Sequence, residues 1–155
     1  MIDTPYITET AAQTIAFIHL QIPREEIRHV MGPGITEIFS ALKAQGIAHA
    51  GPWFTHHLKM SPEQFDFDIC VPVSTPVTAV GRVQPGELKA RKNIARTVYH
   101  GPYEGLSEAW GKFMHWIEAN GHKPAPDLWE IYAVGPESSP DPANWRTELH
   151  RPLLD

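Results

Sequence analysis

The order of turns, helices and strands is written twice in this chain, and that duplication limits the folds open to it. In the first half Gly32-Pro33 precedes a helix-patterned run, Gly46 stops it, and Gly51-Pro52-Trp53-Phe54 opens a strand. In the second half Gly101-Pro102 precedes the run, Gly121 stops it, and Pro126-Asp127-Leu128-Trp129 opens the strand. The helices differ in length, so the match is one of topology. Strands, helix and strands in duplicate predict an α+β fold of duplicated β-α-β-β units, an antiparallel sheet with two helices packed on one face. A duplicated unit also creates a cleft at its pseudo-symmetry axis, which predicts a central ligand groove. We read residues 1–155 as one domain of this kind.

The periodicities place the elements. Residues 14–22 read as a buried strand ended by Pro23, and 24–30 as a short helical turn that Gly32-Pro33-Gly34 interrupts. Ile35, Ile38, Phe39 and Leu42 then recur at helical spacing up to Gly46. Residues 51–60 are strand-like. In 64–73, Phe65, Phe67, Ile69 and Val71 alternate with Gln64, Asp66, Asp68 and Cys70, the pattern of a half-buried strand. Residues 80–83 and 90–100 read as extended segments that pair across a Pro85-Gly86 turn. Leu106, Trp110, Phe113 and Ile117 mark the second helix, ended by Asn120-Gly121. Strands at 128–134 and 145–150 flank a Ser/Pro/Asp loop at 137–144.

Charge and composition exclude several classes of function. A formal net charge of -5, with only Lys89-Ala90-Arg91-Lys92 as a basic run, argues against direct nucleic-acid contact. One cysteine, Cys70, allows no internal disulfide and suits a reducing compartment. The N-terminus lacks a signal-peptide pattern, and no apolar run reaches the ~18–20 residues of a membrane span. A cytoplasmic protein without membrane attachment is expected. No GxSxG elbow, P-loop or GxGxxG fingerprint is present, so neither covalent catalysis nor a bound cofactor is expected.

The most informative side chain is Glu130, a carboxylate inside the aromatic strand Leu128-Trp129-Glu130-Ile131-Tyr132. It must face water or sit in a pocket that neutralises it, and alternation alone allows both. In a pocket its pKa would rise, suiting it to bind a cation or to act as general acid or base. Tyr132 shares its face, while Trp129 and Ile131 point the other way. Trp53 and Phe54 are candidates for an aromatic wall, and Tyr103, just after the Gly-Pro turn, for a groove cap; core packing suits all three as well. Trp110, Phe113 and Ile117 read as core, and Trp116 lies off their stripe. His56 and His57 face opposite sides of a strand and cannot readily chelate one ion, so no metal is expected. His57 shares a face with Thr55 and stays a candidate groove residue.

Together, His100-Gly101-Pro102-Tyr103, the helix with Trp116, Trp129-Glu130-Ile131-Tyr132 and Thr147-Glu148-Leu149-His150-Arg151-Pro152-Leu153 resemble the GyrI-like effector-binding domain. This is the small-molecule module of many AraC-type and MerR-type multidrug-responsive regulators. Gly51-Pro52-Trp53-Phe54 and Phe67-Asp68-Ile69-Cys70-Val71-Pro72-Val73 are similar to its first-half motifs, and the resemblance covers residues 13–154. It implies two pseudo-symmetric β-α-β-β units, an SHS2-like duplication, with a groove between helices and sheet. It also implies that the acidic residue at Glu130 lies inside that groove and meets cationic or polarised aromatic ligands. Here His57 stands where an aromatic residue is frequent, and a module without a DNA-binding segment before it is expected, so regulation by its own DNA contact is not. The expectation is a stand-alone binding protein for hydrophobic, aromatic and in some cases cationic small molecules, anchored by Glu130 and walled by Trp53, Phe54, His57, Tyr103 and Tyr132. The family also implies two alternatives. One is a hydrolase of strained, cyclopropane-type electrophiles, with Glu130 as acid/base beside Tyr132. The other is a modulator of a topoisomerase partner, gyrase, after the family's founding member.

Overall fold

A computed structural model describes residues 1–61, 63–136 and 138–154, with backbone alone at residues 28 and 60. Glu137, where the predicted 137–144 loop begins, and Asp155, the end of the predicted domain, lie outside them. The elements are β1 (Tyr6–Thr10), β2 (Gln13–Pro23), α1 (Ile27–Gln45), β3 (Phe54–Met60), β4 (Gln64–Pro72), β5 (Gln84–Leu88), β6 (Arg91–His100), α2 (Leu106–Ala119), β7 (Leu128–Val134) and β8 (Arg146–Pro152). Short 3-10 turns at Arg24–Glu26 and Tyr103–Gly105 lead into the two helices. The fold is α+β, with two compact units, Ala11–Ala90 and Met1–Thr10 plus Arg91–Asp155.

In the first unit β2, α1, β3 and β4 form a β-α-β-β motif, with β4 between β2 and β3 and β5 added outside β2. One face of this antiparallel sheet carries Ala16, Ile18, Phe67, Ile69 and Val71 against Ile38, Ala41 and Leu42 of α1. The second unit repeats the plan: β8 lies between β6 and β7, and β1 is added outside β6. Ala95, Tyr99 and Leu149 pack there against Ala109, Phe113 and Ile117 of α2. Both helices end the same way. Gly46 (φ 67°) and Gly121 (φ 76°) adopt the left-handed conformation, and the next amide bonds back to Leu42 (2.9 Å) or Ile117 (3.1 Å).

The units can be put in register because Pro23 and Pro102 each precede the 3-10 turn before a helix. On the helix-covered face, the row Thr97–Leu149–Glu130 then matches Ile18–Ile69–Thr55. One row further, Tyr99–Thr147–Tyr132 matches Leu20–Phe67–His57. The frame is duplicated while the side chains on it differ.

Two sequence expectations need correction. Gly32-Pro33-Gly34 does not interrupt the first helix; α1 runs through it from Ile27, with Pro33 inside. A proline there removes a hydrogen bond and costs ~3 kcal/mol in an isolated helix, and apolar contacts of Ile27, Val30 and Met31 with the core offset it. Residues 80–83 and 90–100 do not pair: Val80 bridges to Val83, while Pro85-Gly86 lies inside β5, an edge strand on β2. An edge position tolerates the missing amide of proline. The N-terminal segment adds β1, which is too short and polar to show a hydrophobic period in the sequence.

Candidate functional site

The stretch around Gly101 builds the platform of the site. Tyr99 turns under the start of the second helix and donates its hydroxyl to the Pro102 carbonyl at 2.7 Å. A Cβ on Gly105 would overlap that hydroxyl, so glycine is what lets the chain pass so closely over the ring. The turn leaves Tyr103 projecting toward β7. Its ring meets Tyr132 edge-on, with centroids 5.9 Å apart, and lies tilted against Trp145 at 5.0 Å. Trp145 is itself fixed by donating its indole N–H to the Ser139 carbonyl at 2.9 Å.

Glu130 stands beside this aromatic group, half-buried on the face of β7 that α2 covers. Both carboxylate oxygens are engaged. The Trp110 Nε1–H donates to Oε2 at 2.6 Å, and the Tyr132 hydroxyl donates to Oε1 at 2.7 Å. Burial raises the Glu130 pKa above the usual carboxylate value, and the two donors, which favour the ionised form, pull it part of the way back. Among the described residues, no lysine, arginine or histidine forms an ion pair with it. The other buried carboxylate nearby, Asp127, is treated differently, with Arg91 at 2.9 Å. Glu130 is therefore a half-buried carboxylate held by two neutral donors.

Of the residues expected at the site, the structure brings Glu130, Tyr132 and Tyr103 together. Trp53, Phe54 and His57 belong to the first unit. Trp53 is half-buried and packs on the α1 core. Phe54 is buried on the strand face away from Thr55 and α1. His57 is enclosed, stacked on Phe67 (5.1 Å, 16°) with Phe65 edge-on at 5.2 Å. Burial drives its pKa down to about 4, aided by the charges of His56 and Arg24. Sequence reading missed two residues. Trp110 was assigned to core packing, yet an indole seldom stays at a buried edge without an acceptor for its N–H, and the nearest glutamate supplies one. Trp145 carried no periodic signal at all.

A cleft of about 570 Å³ beside α1, lined in part by Ala41, Ala44, Val80 and Val83, holds none of these residues. Its polar rim is already paired, Glu37 with Arg82 and Gln45 with the Thr78 backbone. No described helix is long and apolar enough to cross a membrane.

The chain is thus a duplicated α+β frame whose second unit holds a half-buried carboxylate among aromatic rings. The chain belongs to the GyrI-like family: the GyrI-like small molecule binding domain matches residues 3–154. Comparison with curated proteins gives no match. Among solved structures, it is similar to the EcmrR C-terminal domain, at 20% identity over 98% of both chains, with a TM-score of 0.86. It spans 57% of the EcmrR chain in a complex with DNA, where 97% of this chain aligns at 21% identity and a TM-score of 0.84. A hydrolase of Listeria innocua aligns at 10% identity over 96% of this chain and 91% of its own, TM-score 0.69. SAV2435 bound to tetraphenylphosphonium aligns at 11% identity over 97% and 94%, TM-score 0.63. At these identities the likeness is one of fold.

Proposed function

We propose that this protein binds hydrophobic aromatic cations, with Glu130 as the charge anchor and Tyr132, Tyr103 and Trp145 as aromatic walls. The observation that carries this reading is the Glu130 carboxylate itself: partly dehydrated, oriented by Trp110 and Tyr132, and without a protein cation among the described residues. A cation over such rings gains ~0.5–2 kcal/mol from each well-placed face, and apolar burial supplies most of the remaining affinity. Breadth of specificity follows, because neither contribution is strongly directional. That a distant structural neighbour, SAV2435, was solved with tetraphenylphosphonium supports the choice of probe.

The test is a tryptophan-fluorescence titration with tetraphenylphosphonium and with an uncharged aromatic of similar size. Glu130→Gln is expected to weaken the cation by about 10–100-fold, as for loss of one charge pair at an intermediate dielectric, and to leave the neutral compound little changed. Equal affinities of wild type and variant for the cation would remove Glu130 from the site.

A second reading draws on the same raised pKa. A glutamate poised nearer working pH beside a tyrosine hydroxyl can activate water toward a strained electrophile. Product analysis after incubation with a cyclopropane-bearing electrophile separates the two readings. Unchanged compound supports binding alone, and Glu130-dependent hydrolysis supports an enzyme.

A further inference from the structure

The duplicated rows differ at one polar atom that the Glu130 site has so far left unused. On the helix-covered face of the second unit, Thr147 of β8 lies in register between Tyr99 of β6 and Tyr132 of β7. The first unit fills the equivalent position with Phe67, whose ring stacks on His57. Thr147 is 0% exposed, yet its hydroxyl makes no hydrogen bond among the described residues. Thr97, one row away and equally buried, shows the usual arrangement, with its hydroxyl donating to the Asp3 carbonyl at 2.7 Å. A buried hydroxyl without a partner is destabilising. Packing gives no reason for one here, since valine has the same shape and the matching position of the first unit is apolar.

The hydroxyl belongs to the aromatic group of the site. Tyr132 flanks Thr147 across the strands, and Trp145, two residues earlier in extended backbone, flanks it along the chain. Tyr103 touches both of these rings, at 5.9 and 5.0 Å, and so spans the corner in which Thr147 lies. Glu130, one row on, is the diagonal neighbour of Thr147 across β7 and β8. Residues so placed lie roughly 7–8 Å apart. Once the two side chains extend into that gap, the remainder falls within the ~6 Å that one nitrogen spans between two acceptors. Each Glu130 oxygen has one donor from the protein and keeps a further lone pair.

Resting on the reading of Glu130 as the charge anchor, we propose that Thr147 selects among aromatic cations for those that carry an N–H. Protonated amines are preferred to quaternary onium ions. The ammonium N–H donates to Thr147 Oγ1 while Glu130 holds its charge. A quaternary cation meets the carboxylate by charge alone and leaves the hydroxyl unpaired. Tyr103, half-buried in the turn before α2, is the ring that turns aside about its side-chain bonds to admit the ligand.

The experiment is calorimetric titration of the full chain at neutral pH with two probes. One is protonated 9-(aminomethyl)anthracene; the other is its N,N,N-trimethyl counterpart, with the same ring and charge but no N–H. Wild type is expected to bind the amine about 2–10-fold more tightly, the worth of one hydrogen bond. Thr147→Val should bring the amine to the affinity of its quaternary counterpart, and Thr147→Ser, which keeps the hydroxyl, should retain the preference. Without ligand, Thr147→Val should unfold at or above the wild-type temperature, because a methyl group replaces an unpaired buried hydroxyl. Glu130→Gln should weaken both cations. Absence of binding by either cation, or unchanged binding of both by Glu130→Gln, overturns the anchor and this proposal with it. Equal affinities in wild type, a preference that survives Thr147→Val, or a lowered melting temperature of that variant overturns the role of Thr147 alone.

Discussion

Replacing Trp110 by Phe removes one hydrogen-bond donor from Glu130 and keeps an aromatic ring in its place, so it tests whether the indole serves the carboxylate or only the core. A hydrogen bond to a charged acceptor contributes ~1.5–3 kcal/mol. Glu130 is half-buried, so the low end applies after solvent screening. With a small loss of apolar contact against Phe113, whose ring centroid lies 5.6 Å away, the expected destabilisation at neutral pH is about 2 kcal/mol. For a chain of this size that lowers the melting temperature by about 4–8 °C. The pH dependence separates the two contributions. The N–H favours the ionised carboxylate, so its removal pushes the already raised Glu130 pKa further up. Above both folded values the variant lacks the full hydrogen bond. Once Glu130 is protonated in both proteins, only the packing difference remains. The deficit should therefore be largest near about pH 8 and shrink toward about pH 4. Paired thermal unfolding of wild type and Trp110→Phe across that range is the assay. A deficit constant with pH would refute the coupling and return Trp110 to ordinary packing.

The enclosed His57 makes the protein acid-labile. Its folded pKa, about 4, lies below the unfolded value of 6.5, so stability is lost as pH falls through that window. His57→Phe keeps the stack on Phe67 and should leave the protein about 2 kcal/mol less sensitive to acidification from about pH 8 to about pH 5, read from denaturant midpoints. An unchanged acid transition would show that His57 is not enclosed. Buried His150, pushed down to about 3, should retain part of the acid dependence in that variant. Gly105→Ala drives a methyl group onto the Tyr99 hydroxyl and should cost about 1–3 kcal/mol. Tyr99→Phe in the same chain should recover part of that loss, and no recovery would mean that the clash lies elsewhere. Cation binding should strengthen as pH rises through the Glu130 titration, because only the carboxylate anchors the charge; a flat profile for tetraphenylphosphonium would argue against an ionic anchor.

What was legible in the sequence followed from periodicity and punctuation. The duplicated order of turn, helix and strand gave the α+β plan, and Gly46 and Gly121 marked both helix ends. Alternation put Glu130 and Tyr132 on one side of β7, and their hydrogen bond shows them there. Illegible features were those decided by distant parts of the chain. Pro33 looks like a stop because local propensity says so; the contacts of Ile27, Val30 and Met31 that keep α1 intact come from the sheet. The Trp110 bond joins residues on a helix and a strand and carries no spacing signal.

The duplicated register also explains why the anionic site is built once. At the Glu130 position the first unit has Thr55, and at the Tyr132 position it has His57. Thr55 is 1% exposed. A second carboxylate there would lose nearly all its hydration, and an ion so placed costs several kcal/mol unless donors meet it. Position for position from the prolines before the helices, Met31 of α1 stands where α2 has Trp110, so the indole donor is absent. Phe65, His57 and Phe67 instead close into a stack that a neutral imidazole completes. One copy is thus closed as core, and the other keeps a half-buried carboxylate oriented by two donors. A buried carboxylate needs its donors, and only the second unit places an indole and a phenol against that position.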